Sequence, residues 1–170
     1  MPRPLIDPRD HPPDRILLGR AEIDAYNPQR FEFVQIDAVL HWSAGENLLV
    51  AFRRVRADEF WVRGHIPGKP LFPGVLQAEC LAQAGGLHTC LQMELGQGRF
   101  IGFGGIEKMR FRDAIEPGTD LWVAGRVLSG NRRRGVFKWG GQILRGDGRV
   151  AAEGTILGVV LGDAPATLSG

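Results

Sequence analysis

The chain has 170 residues, 44% apolar and 24% charged, with 21 Lys+Arg against 19 Asp+Glu for a formal net charge of +2. That composition describes one globular domain able to bury roughly two thirds of its extended-chain surface, and it excludes disordered and collagen-like chains. No apolar run approaches the roughly 18 residues that cross a bilayer, and the opening MPRPLIDPRDHPPDR lacks the apolar stretch of a secretory signal, so a cytoplasmic protein without a membrane span is expected.

Residues 1–14 hold five prolines and several charges without apolar periodicity, which predicts an extended arm outside the core. A single domain is expected over 15–162, with a C-terminal tail at 163–170. From Phe31 to Trp42 the sequence FEFVQIDAVLHW is rich in aromatic and β-branched residues and reads as a strand. Ser43–Asn47 reads as a turn and LLVAFRRV as a second strand. Residues 62–73, VRGHIPGKPLFP, contain three prolines and two glycines and predict a stiff loop, with Pro73 suited to the first turn of a helix.

Gly74–Gly98 has good helix formers, is apolar nearly all round and ends in glycines, the pattern of a buried helix with a Gly-rich stop. Four β-type segments follow, at 100–112, 120–129, 135–145 and 149–161, separated by Glu116-Pro117-Gly118, Ser129-Gly130-Asn131 and Gly146-Asp147-Gly148. The fold class that satisfies this order is α+β, an antiparallel six-stranded sheet wrapped around one long central helix. The 24 glycines are about twice the average share, and Gly102, Gly104, Gly140 and Gly141 suit bends or close packing within strands. Cys80 and Cys90 fall in the one helix, about 15 Å apart along its axis, and do not reach each other. No zinc spacing or disulfide framework exists, so a reducing compartment without metal or other cofactor is expected.

Two polar residues stand where a core does not need them. His65 lies in the Gly64-His65-Ile66-Pro67 loop, where proline stiffens the backbone that aims the imidazole. Glu79 lies in the apolar helix, where desolvation favours the neutral carboxyl and prepares a general acid. Gln83, four residues on, shares its face. The helix start at Gly74 and Val75 offers unpaired amides and the positive dipole end to a developing oxyanion, with Gly74 leaving room for a ligand carbonyl. Taken alone, a buried Glu or His is more often a hydrogen-bonded structural residue. Together, a base, an acid and an amide oxyanion site suit removal of the proton beside a thioester carbonyl and loss of a β-hydroxyl as water.

Arg53, Arg54, Arg56 and Arg63 cluster before this loop, while Lys108, Arg110 and Arg112 alternate along one predicted strand. Either set reads as a solvated sheet face or as a docking patch for an acidic carrier. Arg132-Arg133-Arg134 reads as a solvated loop. Nucleic-acid binding is not expected, since no helix presents a basic face and no aromatic platform is present.

Arg63-Gly64-His65-Ile66-Pro67-Gly68-Lys69-Pro70-Leu71-Phe72-Pro73-Gly74-Val75-Leu76, followed by Glu79 and Ala82-Gln83, resembles the signature of the 3-hydroxyacyl-acyl-carrier-protein dehydratases of type II fatty acid synthesis. The resemblance extends to Asn27–Phe33, Ile36-Asp37, Gly105–Phe111 and Pro117-Gly118, and covers about residues 20 to 161. It implies a hotdog fold and a homodimer with its long helices side by side, often a trimer of dimers. It also implies an acyl-carrier-protein-bound substrate reached through a tunnel at the subunit boundary. On that similarity His65 acts from one subunit and Glu79 from the other, the Gly74 amide binds the thioester oxygen, and Gln83 supports the carboxyl.

The glutamate is similar to the plain dehydratase branch, and the branch that also isomerises the double bond carries aspartate there. Departures fall on the tunnel lining: Ile66 for Phe, Leu71-Phe72 for Val-Met, and Phe60-Trp61 for two phenylalanines. Gln77 stands where an aliphatic residue is usual, Cys80 where Ala is usual, and Gln29 and Phe31 where His and Tyr are. A thioesterase of the same fold is the nearest enzymatic alternative, though it does not need the Gly-His-x-Pro loop. A single-chain enoyl hydratase fits less well, since Asp58 lies seven residues before His65. A non-catalytic acyl- or partner-binding relative is opposed by the presence of both His65 and Glu79.

Overall fold

The computed structural model describes residues 2–163. Its strands are β1 (Ala38–Ser43), β2 (Leu48–Arg54), β3 (Arg99–Phe111), β4 (Asp120–Asn131), β5 (Val136–Arg145) and β6 (Val150–Asp163), and its helices are α1 (Arg20–Asp24) and α2 (Gly74–Gln92). All strand pairs are antiparallel, in the order β1-β2-β4-β5-β6-β3, and α2 lies on one face of the sheet against β4, β5 and β6. The six strands and single long helix are those the sequence predicts, in hotdog arrangement.

Two boundaries and one strand pattern differ for physical reasons. The first strand begins at Ala38, because Phe31–Phe33 forms a 3-10 turn with Phe31 in the left-handed region at φ 54°. The helix stops at Gln92, because Glu94, Gly96 and Gly98 all take positive φ and the Leu95 amide turns back to the Cys90 carbonyl. The alternation of basic residues in β3 is interrupted: the register with β6 slips between Glu107 and Arg110, and Lys108 sits at φ 55° as the inserted residue.

The N-terminal arm is not outside the core. Along β2, Leu49 and Ala51 join the core that contains Leu81, Ala84 and Leu87 of α2, whereas Leu48, Val50 and Phe52 join Trp122, Leu144 and the arm residue Ile6 in a second core. A strand buried on both faces reads as a continuous apolar run, as LLVAF does. The arm is fastened at both ends. Gln142 accepts from the Leu5 amide at 2.8 Å and donates to the Arg3 carbonyl, and the Trp122 indole donates to the His11 carbonyl at 2.7 Å.

Helix and sheet meet closely at Trp139. A Cβ on Gly85 of α2 would lie 3.0 Å from its ring, and Cβ atoms on the paired sheet glycines Gly125 and Gly141 would lie 2.3 and 2.0 Å from it. The indole therefore fills the space above two glycines and below a third, and its N–H donates to His88 Nδ1 at 3.0 Å. Gly141→Ala is expected to lower stability by about 2 kcal/mol, the cost of overpacking a filled site. Gly45→Ala, with nothing within 4 Å, is expected to stay within about 0.5 kcal/mol. Urea unfolding of both variants checks this, and equal midpoints would remove the packing role given to Trp139.

Candidate active site

The segment between β2 and α2 is rooted by a buried ion pair. Arg53 is 2% exposed; its guanidinium bonds Glu59 and lies 5.8 Å above the Phe72 ring. Glu59 also accepts from the Trp61 indole at 2.9 Å and from the Arg56 amide at 2.7 Å. The neighbouring arginines are engaged as well, Arg54 with Asp120 and Arg56 with Asp37. Of the four arginines read as a solvated face or docking patch, only Arg63 lacks an ionic partner among the described residues.

On that root stands His65, exposed, with its backbone amide bonded to the Trp61 carbonyl and its carbonyl to the Leu71 amide. Its Nδ1 lies 2.8 Å from the Leu71 carbonyl oxygen. A carbonyl only accepts, so Nδ1 carries the proton and Nε2 keeps a free lone pair in the neutral ring, which is the form of a general base. Of the tunnel residues the sequence nominates, Phe60 and Ile66 are exposed and Leu71 is half-buried. Trp61 and Phe72 are buried. At 5% and 3% exposure they pack on each other in the main core, because Arg53 and Glu59 draw them inward.

Glu79 projects from the second turn of α2, half-buried, with Oε1 accepting from Gln83 Nε2 at 2.8 Å. Burial pushes its carboxyl above the usual glutamate value, against the opposing pull of the Gln83 bond. Gln83 is fully committed, donating also to the Phe33 carbonyl at 2.7 Å and accepting from the Gln35 amide at 2.9 Å. Asn27 donates to the Gln83 carbonyl, and the Cys80 thiol to the Gln35 carbonyl at 3.6 Å, which gives Cys80 a role that alanine lacks. Asn27, Phe33 and Gln35 are site-supporting residues that sequence reasoning did not assign. Their contribution is mostly backbone, which leaves no side-chain signal.

Beneath Glu79 a cavity of about 60 Å³ runs between α2 and the sheet, lined among others by Gln83, Gly86, Ile101, Phe103 and Phe137. His65 does not line it, and no hydrogen bond joins the two groups within one chain.

At the helix start, the Leu76 and Gln77 amides bond the Pro73 carbonyl, while those of Gly74 and Val75 have no acceptor among the described residues. The Val75 side chain is 78% exposed. The sequence reading has Gly74 leaving room for a ligand carbonyl, but its Cβ direction is filled: a Cβ there would stand 2.9 Å from the Phe111 ring, so the glycine admits Phe111 and offers a ligand its unpaired N–H. On the sheet, Arg112 pairs with Glu153, Arg110 touches only the Met109 carbonyl, and Lys108 lines a groove with Leu5 and Gln142.

An ordinary glutamate titrates near pH 4.5, and burial moves Glu79 upward. Between those two values the native chain holds a proton that the unfolded chain has lost, so stability falls as pH rises through the window. Glu79→Gln removes that loss. Thermal melts are expected to place the variant above the parent at pH 8, with the difference closing towards pH 4; a parent that melts higher at pH 8 contradicts this assignment.

Residues 27–155 match the family described as FabA-like domain. A 3-hydroxyacyl-[acyl-carrier-protein] dehydratase FabZ from Clostridium botulinum (strain Langeland) is 35% identical over 139 residues, 82% of this chain and 93% of the relative. The enzyme of the same name from Geobacillus thermodenitrificans is 35% identical over 150 residues, 88% of this chain and 99% of its own. Among solved structures, the dehydratase heterocomplex ApeI:P from Xenorhabdus doucetiae aligns with a TM-score of 0.67 at 19% identity, over 81% of this chain and 90% of that one. A thioesterase from Haemophilus influenzae aligns at 0.57 and 13%, over 77% and 82%, so the fold alone does not separate the two chemistries. Matched through both halves of the site and nearly end to end with its relatives, the chain belongs to the FabZ-like 3-hydroxyacyl-[acyl-carrier-protein] dehydratases of the FabA-like family.

Proposed function

We propose that the chain is a hydro-lyase that removes water from (3R)-3-hydroxyacyl thioesters on an acyl carrier protein, giving trans-2-enoyl thioesters for fatty acid or related lipid synthesis. The observation that carries this reading is the opposite setting of two groups: an imidazole whose Nδ1–H is held by the Leu71 carbonyl, so that the neutral ring presents its Nε2 lone pair, and a carboxyl whose protonated form burial favours. His65 Nε2 takes the proton from the carbon beside the thioester carbonyl. The charge that develops on the carbonyl oxygen is met by the Gly74 and Val75 amides at the helix start. Glu79 gives its proton to the departing hydroxyl, which leaves as water, and the double bond forms between the two carbons. Proton return from His65 to Glu79 through solvent resets the site.

Because His65 and Glu79 do not meet within a chain, each site takes His65 and Gly74 from one protomer and Glu79 with Gln83 from its partner. β3 supports that pairing, having β6 as its single sheet neighbour and a free outer edge. The assembly is a homodimer, further arranged as a trimer of dimers. Two unbonded, buried cysteines suit the cytoplasm, with burial pushing Cys80 up to about 12 and Cys90 to about 11.

Incubation with 3-hydroxyacyl carrier substrates of several lengths, following enoyl formation and thiol release together, tests the reaction. Enoyl product without thiol is expected; thiol release alone points to a thioesterase, and neither to a binding protein. His65→Ala and Glu79→Gln are each expected to lose about 10²–10⁴-fold in kcat. Mixing the two inactive variants under subunit exchange restores part of the activity if the site is shared, and exchange without recovery places it within one chain.

The carrier stays outside while its acyl group enters, and an acidic carrier is met by Arg110, Arg112 and Lys108. Arg110 is the most available, since Glu153 already neutralises Arg112. Arg110→Glu is expected to raise KM for carrier-bound substrate and flatten its salt dependence, with little effect on a pantetheine thioester. Equal losses with both substrates count against docking.

A further inference from the structure

Gln77 is 4% exposed in the first turn of α2, where its family resemblance has an aliphatic side chain. Its Nε2 donates to the Phe72 carbonyl at 3.1 Å, and its Oε1 is buried with no partner among the described residues. An orphaned buried oxygen costs stability, so an aliphatic residue of similar volume serves the fold at least as well. What only the carboxamide supplies is a directed hold on one carbonyl.

That carbonyl lies between the two halves of the catalytic loop. On one side Leu71 is bonded to His65 twice, through its amide to the His65 carbonyl at 3.0 Å and through its carbonyl to the imidazole at 2.8 Å. On the other side Pro73 leads directly into Gly74. Phe72 is itself tied by its amide to the Ile115 carbonyl at 2.7 Å. With prolines at 70 and 73 this segment has few N–H groups to fix it. Among the described residues the Phe72 carbonyl accepts only from Gln77, and this bond reaches from the helix that carries the proposed oxyanion amides to the segment that aims His65.

We infer that Gln77 is a positioning residue that fixes the His65 imidazole and the Gly74 amide relative to each other through the Phe72 carbonyl. The inference rests on the dehydratase reading for its kinetic arm only. An error near 1 Å between a base and an oxyanion donor is enough to cost up to 10²-fold. The substrate's own binding contacts are untouched, so the loss falls on kcat.

Gln77→Met and Gln77→Leu in the full chain test this. Expected are a melting temperature equal to or above the parent's, kcat lower by about tenfold or more, KM for the carrier thioester within about twofold, and a shift of the His65 ring nitrogen resonances in ¹⁵N spectra as its Nδ1–H bond to Leu71 loosens. Kinetics within twofold of the parent together with unmoved His65 resonances overturn the inference. So does a variant that fails to fold, or one that loses stability and activity while the ring signals stay put, since either makes Gln77 a structural residue. If the parent shows no dehydration at all, the proposed function fails, and the ring resonances still decide the role of Gln77.

Discussion

A helix apolar on every side gains burial in any rotation about its axis, so hydrophobic packing alone does not say which residues of α2 face the substrate. The rotation is set by direction-dependent contacts. Trp139 lies against Gly85 and bonds His88 at 3.0 Å, Gln83 bonds Phe33 and Gln35, and Gln77 bonds Phe72. Three polar side chains at successive levels of one helix fix it against three different elements, and Glu79 then points into the cavity because Gln83, on the same face, is already held. The His88 contact keeps its form at neutral pH, as burial holds that imidazole down to about 4, so Nδ1 stays an acceptor for the indole.

Much of the fold was legible because each strand and the helix carry strong local signals. The six strands follow from β-branched and aromatic runs between turn residues, and the sheet glycines flagged for close packing include Gly141, which lies under Trp139. The arm was misplaced for an instructive reason. Its own sequence has no periodicity, so reading it in isolation puts it outside, yet LLVAF in β2 and LWVA in β4 are apolar on both faces and require a second cover. The evidence for the arm's place lay in the strands it covers. Phe31–Phe33 was misassigned because strand propensity there yields to hydrogen bonds from Gln83, fifty residues downstream of Phe33, which no local window contains.

The site was legible where a residue is out of character with its surroundings, and illegible where charge meets charge. His65 and Glu79 stand out as polar groups in a stiff loop and an apolar helix. The Arg53–Arg56 run gave only a tally of positive charge. Asp37, Glu59 and Asp120, which convert it into a buried root and surface pairs, lie on separate elements. A buried pair of this kind is costly to break from one side, about 3–5 kcal/mol, because the remaining charge stays uncompensated. That makes the Arg53–Glu59 pair an anchor for the loop that bears His65.

Glu79 and His65, the acid and base of the proposed reaction, sit in opposite environments, and this bears on why they lie on different parts of the chain. The base works with an open Nε2 and needs only a fixed ring, which a backbone carbonyl on a proline-stiffened loop provides at low cost in burial. The acid needs a dry setting, and in one protomer Glu79 is only half-buried. In the proposed dimer, a second protomer over the cavity mouth would remove more water from the carboxyl and move its pKa further in the direction burial already takes it. In the proposed shared site, the surface that brings the partner's His65 would also desolvate Glu79 further, so assembly and acid preparation would go together, and an unpaired protomer would leave the carboxyl in the wetter of its two settings.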